Sequence, residues 1–288
     1  MDIAGYVLAG GVVLLLLSPY FLYVGLKERR LHRLVTGQST VPVADVDSSV
    51  DRVELHGTAA PDDASVTAPV TGERCAIAVW SVKEWDERGD DATGYWREIA
   101  RGVESTGLLL DDDTGTARID IEAANETASE WWTTADLAER DGLFMGNILF
   151  EFAEYETVAE VERDEELPAE IRQLHDAVDG LDDAEDSWLA LDDWNDNHGD
   201  RRYYQQTIST DGDLHVVGSP TTAAGVDLDI GIEAAGDDPL IVSDMDEATL
   251  TERLAGTTRM HFQLAAGCGV LSMVLFGIYA VVWGLPTF

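Results

Sequence analysis

The side chains that could do chemistry in this 288-residue chain are few and scattered. Two cysteines, Cys75 and Cys268, are too few for a disulfide scaffold or a four-cysteine zinc module. A thiol nucleophile needs a base beside it. Cys75 instead sits in the apolar run RCAIAVWSV, where a cysteine acts as a small buried hydrophobe. Histidines stand at 32, 56, 175, 198, 215 and 261, with no HExxH spacing among them. His215 alternates with Leu214 and Val216, which predicts a place on a strand surface. Asp193, Asn195 and Asn197 fit the first ligand positions of a calcium loop. The match then fails, because His198 takes the glycine position and Tyr204 the closing glutamate position. Asp111, Asp112 and Asp113 are what a hairpin turn in an acidic protein carries. The chain holds no GxSxG elbow, no Walker lysine loop and no GxGxxG after a strand. Its tryptophans read as core and interface packing. No residue is assigned a catalytic, cofactor-binding or metal-binding role.

The charge balance excludes another class. Asp and Glu number 56 against 18 Lys and Arg, a formal net charge of −38. Binding a nucleic acid by phosphate neutralisation needs a basic stripe, so no nucleic acid is expected as a partner. The acids run along the whole chain instead of forming a tail. Self-repulsion on that scale strains a compact domain in dilute buffer. It is largely screened where the Debye length falls to about 3 Å, near 1 M salt. The composition therefore suits a protein of a salt-accumulating halophile.

The elements that must position these residues begin with two uncharged runs. Residues 3–26 and 262–288 carry no Asp, Glu, Lys or Arg. At about 1.5 Å per residue, either can cross a hydrocarbon core of about 30 Å as a helix. Met1-Asp2 lacks the basic region of a signal peptide, so the first run reads as an uncleaved anchor. Lys27, Arg29, Arg30 and Arg33 follow the first run, and Arg253 and Arg259 precede the second. Basic residues beside a span mark its cytoplasmic side. The expected arrangement is a two-pass protein of the cell membrane, with the middle domain cytoplasmic and both termini outside.

Between the runs the pattern is mostly that of strands. Residues 52–58 alternate. Residues 74–85 form a long strand with Ala76, Ala78 and Trp80, or their neighbours, facing a core, and 95–100 pair with it across a charged connection at 86–94. Residues 108–110 and 117–121 make a hairpin in which Gly115 supplies the positive φ of the turn. The state of 147–161 stays open. A helix is predicted over 168–181, with Pro168 in its first position and Ile171, Leu174, Val178 and Leu181 on one face. The acidic stretch up to 200 follows. Residues 203–209 and 214–218 read as the clearest hairpin, turning at Asp211-Gly212. A short strand at 239–242 precedes a helix capped by Asp246 that continues into the second span. The expected class is α+β: a mostly antiparallel β domain flanked by two transmembrane helices. Its parts are a span at 1–26, a basic juxtamembrane segment and linker at 27–51, the β-rich domain at 52–245 with a helix and acidic insertion at 168–200, and the second span within 246–288.

That order of parts, set beside particular residues, resembles the GIDE family, whose domain is also called BAM, for beside a membrane. The likeness lies in Val53-Glu54-Leu55-His56-Gly57, in the stretch 67–75 with Pro69, Gly72 and Cys75, and in the strand after it with Trp96. It continues in the acidic hairpin ending at Gly115, in Tyr203–Ile208 leading to Gly212 and Gly218, and in 239–243. The resemblance implies structural roles for Gly57, Pro69, Gly72, Cys75, Trp96, Gly115, Gly212 and Gly218, and no cofactor. The best-known eukaryotic members are mitochondrial ubiquitin ligases whose activity belongs to a RING following the second span. Those members place the domain in the intermembrane space, whereas the charges here place it in the cytoplasm. A RING is held by two zincs with eight Cys and His ligands, which this sequence does not supply after its second span. The leading expectation is therefore an interaction or scaffold module, with the lipid bilayer and a protein at the membrane as partners. The alternative is the anchoring component of an E3 ubiquitin-protein ligase-like system whose RING lies on another protein. A third reading makes residues 182–200 an ion-binding sensor.

Overall fold

The computed structural model describes residues 3–86, 94–125, 142–153, 156–163, 165–178, 181, 199–222 and 230–284. The chain divides into two units, Met1–Gln38 with Glu247–Phe288, and Ser39–Asp246. The class is α+β, mostly antiparallel, with two long apolar helices flanking a β domain.

Three α-helices are described: α1 (Ile3–Thr36), α2 (Ala169–Ala177) and α3 (Glu247–Tyr279), the last closing with a π-helical turn at Ala280–Gly284. In the first unit α1 and α3 run antiparallel. Gly10 and Gly11 face Leu275 and Phe276, and Gly25 faces Phe262. A Cβ added at Gly11 would stand 3.2 Å from the Phe276 ring. Ser18 Oγ donates to the Ala265 carbonyl at 2.9 Å, and Ser272 Oγ donates to the Gly11 carbonyl at 2.8 Å. Small residues and interhelical hydroxyl bonds are how helices associate where the surroundings are as apolar as their side chains. The outward faces agree, with Leu16 67% and Met273 69% exposed. Only 6% of the most apolar window of α1 is buried, and 11% of that of α3. A core helix of a soluble protein buries such a window, so both are candidate membrane spans. The helix of α1 also continues through Lys27, Arg29, Arg30 and Arg33, well past the uncharged run.

The second unit is built on fourteen strands among the described residues. The first seven are β1 (Val53–Pro61), β2 (Val66–Thr67), β3 (Arg74–Cys75), β4 (Ile77–Asp86), β5 (Tyr95–Ser105), β6 (Leu108–Asp111) and β7 (Thr116–Ile119). The rest are β8 (Gly142–Met145), β9 (Ile148–Glu151), β10 (Glu156–Val161), β11 (Arg201–Ile208), β12 (Asp213–Thr222), β13 (Ile230–Glu233) and β14 (Leu240–Ser243). Strands β1, β6, β7, β13 and β12 pair in a closed ring, and β14, β9 and β8 extend it from β12. Leu55, Leu108, Leu110, Ile119, Val216 and Ile232 fill its core. A second sheet has the order β10-β11-β4-β5. Helix α2 presents Ile171 and Leu174 to a cluster with Trp80, Val82 and Tyr203 on that sheet.

Several sequence expectations change here. Strand β4 has two buried faces: Ile77 and Val79 join the main core, while Trp80 and Val82 join the α2 cluster. That explains the unbroken apolar run at its start, Ile77-Ala78-Val79-Trp80. Residues 203–209 and 214–218 are not a hairpin. Strand β11 pairs with β4 and β10, whereas β12 pairs with β1, β13 and β14. The Asp211-Gly212 turn is a corner where the chain changes sheets. It is held because Asp211 N–H donates to the Ala59 carbonyl and Ala59 N–H to the Gly212 carbonyl, both at 2.8 Å. The hairpin β6–β7 forms as expected, but Asp113 takes the positive φ, at 68°, and Gly115 does not. Pro168 caps α2 from outside its first turn, and the open stretch 147–161 yields β9 and β10. Residues 87–93 and 182–198, including most of the acidic insertion and its calcium-like stretch, lie outside the described residues.

Candidate functional site

The polar groups that β1 and β12 bring together are the least expected. Register pairs His56 with His215, and Glu54 with Val217. His215 Nε2 lies 2.8 Å from Glu54 Oε1, with the imidazole as donor to the carboxylate. Thr40 Oγ1 donates to the same oxygen at 3.2 Å. Both partners are buried, Glu54 at 0% and His215 at 1% exposure. Among the described residues, Glu54 Oε2 and His215 Nδ1 have no hydrogen-bond partner. The alternation of β12 had placed His215 on a strand surface. That reading fails because every residue from Leu214 to Pro220 is buried, whichever face it takes. An imidazole on a carboxylate is the orienting half of a nucleophilic triad. Here it is enclosed in the fold, and what it does is join β1 to β12.

A second polar chain lies in the other sheet. Arg201 donates from Nε and Nη2 to Glu84 Oε2, both at 3.3 Å, and its Nη1 lies 3.4 Å from the His175 ring nitrogens. His175 Nε2 meets Tyr203 Oη at 2.8 Å. Burial pushes the Tyr203 phenol above its ordinary range, against the opposing pull of the Arg201 charge. The chain ties α2 to the sheet beneath it.

At the β4–β5 end of the same sheet is a half-exposed aromatic surface. Trp85 and Trp96 sit cross-strand with ring centroids 5.3 Å apart. The Arg202 guanidinium stacks 4.1 Å above Trp96, and Arg202 Nε also contacts Glu160 at 2.7 Å. Lys83 lies 5.1 Å from the Tyr204 ring centroid. Stacked Trp, Tyr and Arg side chains are the types that dominate binding at protein interfaces. From sequence the tryptophans read as core and interface packing; the grouping itself has no local signal, since the bulge at Val82/Lys83 sets which of these side chains share a face.

The eight motif residues occupy distinct places. Gly57 lies where β1 passes from β12 to β6, and a Cβ there would collide with the Asp111 carbonyl oxygen. A Cβ at Gly218 would come 2.5 Å from Ile232 and 3.1 Å from the Glu233 carbonyl oxygen. Gly72 has φ 72° in the turn after Pro69. Gly115 lies against Val43, Gly212 in the sheet-changing corner, and Trp96 in the aromatic surface. Cys75 is fully buried, its Sγ 3.9 Å from the Val66 carbonyl. Burial, with the Glu73 charge beside it, pushes its thiol up to about 11, which keeps it protonated and unreactive at neutral pH. Gly102 was not singled out from sequence, yet a Cβ there would stand 2.5 Å from the Trp80 indole.

The acidic triplet is occupied by its own turn. Asp112 accepts from the backbone N–H groups of Val43, Thr114 and Gly115, at 2.7, 2.9 and 3.1 Å. Asp111 accepts from Asp113 N–H and Thr116 Oγ1. No group of three His, Cys, Asp or Glu side chains among the described residues could hold a metal ion. No family model, no curated protein and no solved structure matches the chain.

Proposed function

We propose that the chain is a two-pass membrane protein whose β domain is an interaction module held beside the bilayer, of the GIDE kind its motifs resemble. The observation that carries this is the inverted exposure of α1 and α3: their most apolar stretches face outward while the pair is joined through glycines and serines. The antiparallel pairing puts the C-terminus of α1 and the N-terminus of α3 at one end of the pair. The basic residues Lys27, Arg29, Arg30, Arg33, Arg253 and Arg259 gather there, which supports a cytoplasmic domain with both termini outside. The Trp85–Trp96–Arg202 surface is where a protein partner would dock. The net charge of −38 supports a setting of molar salt.

Two experiments test the reading. A cysteine at exposed Asp63, in right-side-out vesicles, should react with an impermeant maleimide only after lysis; labelling of intact vesicles would reverse the topology. Crosslinking of the tagged full chain in high-salt membranes, read by mass spectrometry, tests the module. A specific partner lost on Trp96→Ala with Arg202→Ala supports it; an unchanged set of crosslinks removes the docking surface. A RING protein or a ubiquitin-like modifier among the specific partners would make this chain the anchoring component of a ligase-like system.

A further inference from the structure

The basic end of the helix pair holds a groove of about 480 Å³. Arg29 and His32 line it from α1. Ala255, Thr258, Arg259, Phe262, Gln263 and Ala266 line it from α3, at the three- and four-residue spacing of one helical stripe. Its two ends differ in chemistry. Phe262 and Ala266 belong to the uncharged run, and the two arginines stand just outside it.

Arg74 bonds Ser65, but other arginines of the β domain are paired with acids. There, Arg97, Arg101, Arg118 and Arg202 each lie within 3.5 Å of a carboxylate. In a chain with three acids for every base, that is the expected outcome. Among the described residues, Arg29 and Arg259 have no carboxylate partner, although they border one groove. The groove's own surface is apolar, so the charged ends of Arg29 and Arg259 stand at its rim.

We infer that this groove is a site for an anionic phospholipid. The phosphodiester would lie between Arg29 and Arg259, whose planar forks match its oxygens two at a time, with His32 beside it. One acyl chain would run over Phe262 and Ala266 into the hydrocarbon. The depth is right, since a lipid phosphate lies at the edge of the apolar layer and the groove spans that edge. A basic recess between spans is a known physical solution for holding such headgroups. The inference rests on the membrane reading of α1 and α3. It adds that the pair selects a lipid.

The test uses the full chain in nanodiscs of phosphatidylcholine with a minority of phosphatidylglycerol, released into detergent and weighed by native mass spectrometry. Wild type should retain one phosphatidylglycerol in preference to phosphatidylcholine. Arg29→Gln with Arg259→Gln should lower that preference by about tenfold or more, the worth of two basic contacts to a headgroup. Arg33→Gln, a basic residue of the same helix that does not line the groove, should leave it intact. Equal retention by wild type and the double variant would overturn the site. So would displacement of the lipid by inorganic phosphate, which would make the ligand a soluble anion. Carbonate extraction of wild-type membranes separates the two failures: a protein that stays in the pellet without lipid preference loses only this inference, and one that washes out loses the membrane reading as well.

Discussion

The helix pair and the β domain use the same side chains in opposite ways. In the domain, leucine, isoleucine and phenylalanine point inward, with Leu55, Phe150 and Leu110 at 0% exposure. In the pair many of them point outward, and Gly11 and Gly25 meet the Phe276 and Phe262 rings. The domain's stability comes from removing apolar surface from water. As membrane spans, the pair would instead be held by close approach of backbones, because outward apolar residues would gain nothing from meeting each other in lipid. The lesson is that burial alone does not identify what holds each unit together. A substitution that ruins one should leave the other standing, and that expectation can be broken.

The largest effect belongs in the domain core. Phe150→Ala should cost about 3–5 kcal/mol, by lost transfer energy and a cavity. Chemical denaturation at high salt, followed by tryptophan fluorescence, would measure it, while carbonate resistance stays unchanged. Loss of both together would mean that the two units do not stand apart.

The buried Glu54–His215 pair comes next. Replacing His215 with Phe leaves a carboxylate buried at 0% exposure without its imidazole, with Thr40 as its remaining donor, at a cost of about 3–5 kcal/mol. Adding Glu54→Leu should restore most of that loss, since a well-packed apolar pair of similar volume often does as well as a buried ion pair. A double variant as unstable as the single one would show that the pair does more than hold β1 to β12.

These two sites also show what was legible in the sequence. The spans could be read because an uncharged run has few interpretations. Strand β1 and the hairpin β6–β7 could be read because their signals are local. The corner at Asp211-Gly212 could not be read as a corner. Its turn residues announce a reversal, but the Ala59 backbone and the pairing of β12 with β1 decide where the chain goes next. His215 was misplaced for the same reason: alternation gives a face, and only the neighbouring strands determine whether that face is covered. Its partner Glu54 lies 161 positions away. Arg29 and Arg259 could be read as topology signals, but nothing local says that they share a groove.

A smaller effect is expected in the helix pair. A Cβ at Gly25 would stand 3.2 Å from the Phe262 ring, whereas nothing lies within 4 Å of one at Gly267. Gly25→Leu should weaken the pair by about 1–3 kcal/mol, as overpacking does, and Gly267→Leu should not. Disulfide trapping between Ser18→Cys and Gly269→Cys, with Cys268 replaced by Ala, reads the association directly, because a Cβ at Gly269 would lie 3.3 Å from Ser18 Oγ. Equal trapping in both leucine variants would mean that the glycines are incidental.

The smallest effect sharpens the contrast on the domain side, at a carboxylate whose hydrogen bonds come from its own turn and from Val43. Burial alone would raise the Asp112 carboxyl. Hydrogen bonds from Thr114 and from the N–H groups of Val43, Thr114 and Gly115 outweigh it and hold the group below its ordinary range. A carboxylate with a depressed folded value binds protons more readily when unfolded, so folding gains from its ionisation above the unfolded value of about 3.9. That gain is lost as pH falls through the folded value. The side chain is solvent-accessible, so screening keeps the contribution small, and Asp112→Ala should cost about 0.5–1 kcal/mol at neutral pH. The difference between wild type and variant should narrow as pH drops below about 4, in denaturation curves taken at constant high salt. A difference that persists unchanged into acid would assign the stabilisation to the shape of the turn and not to the charge on Asp112.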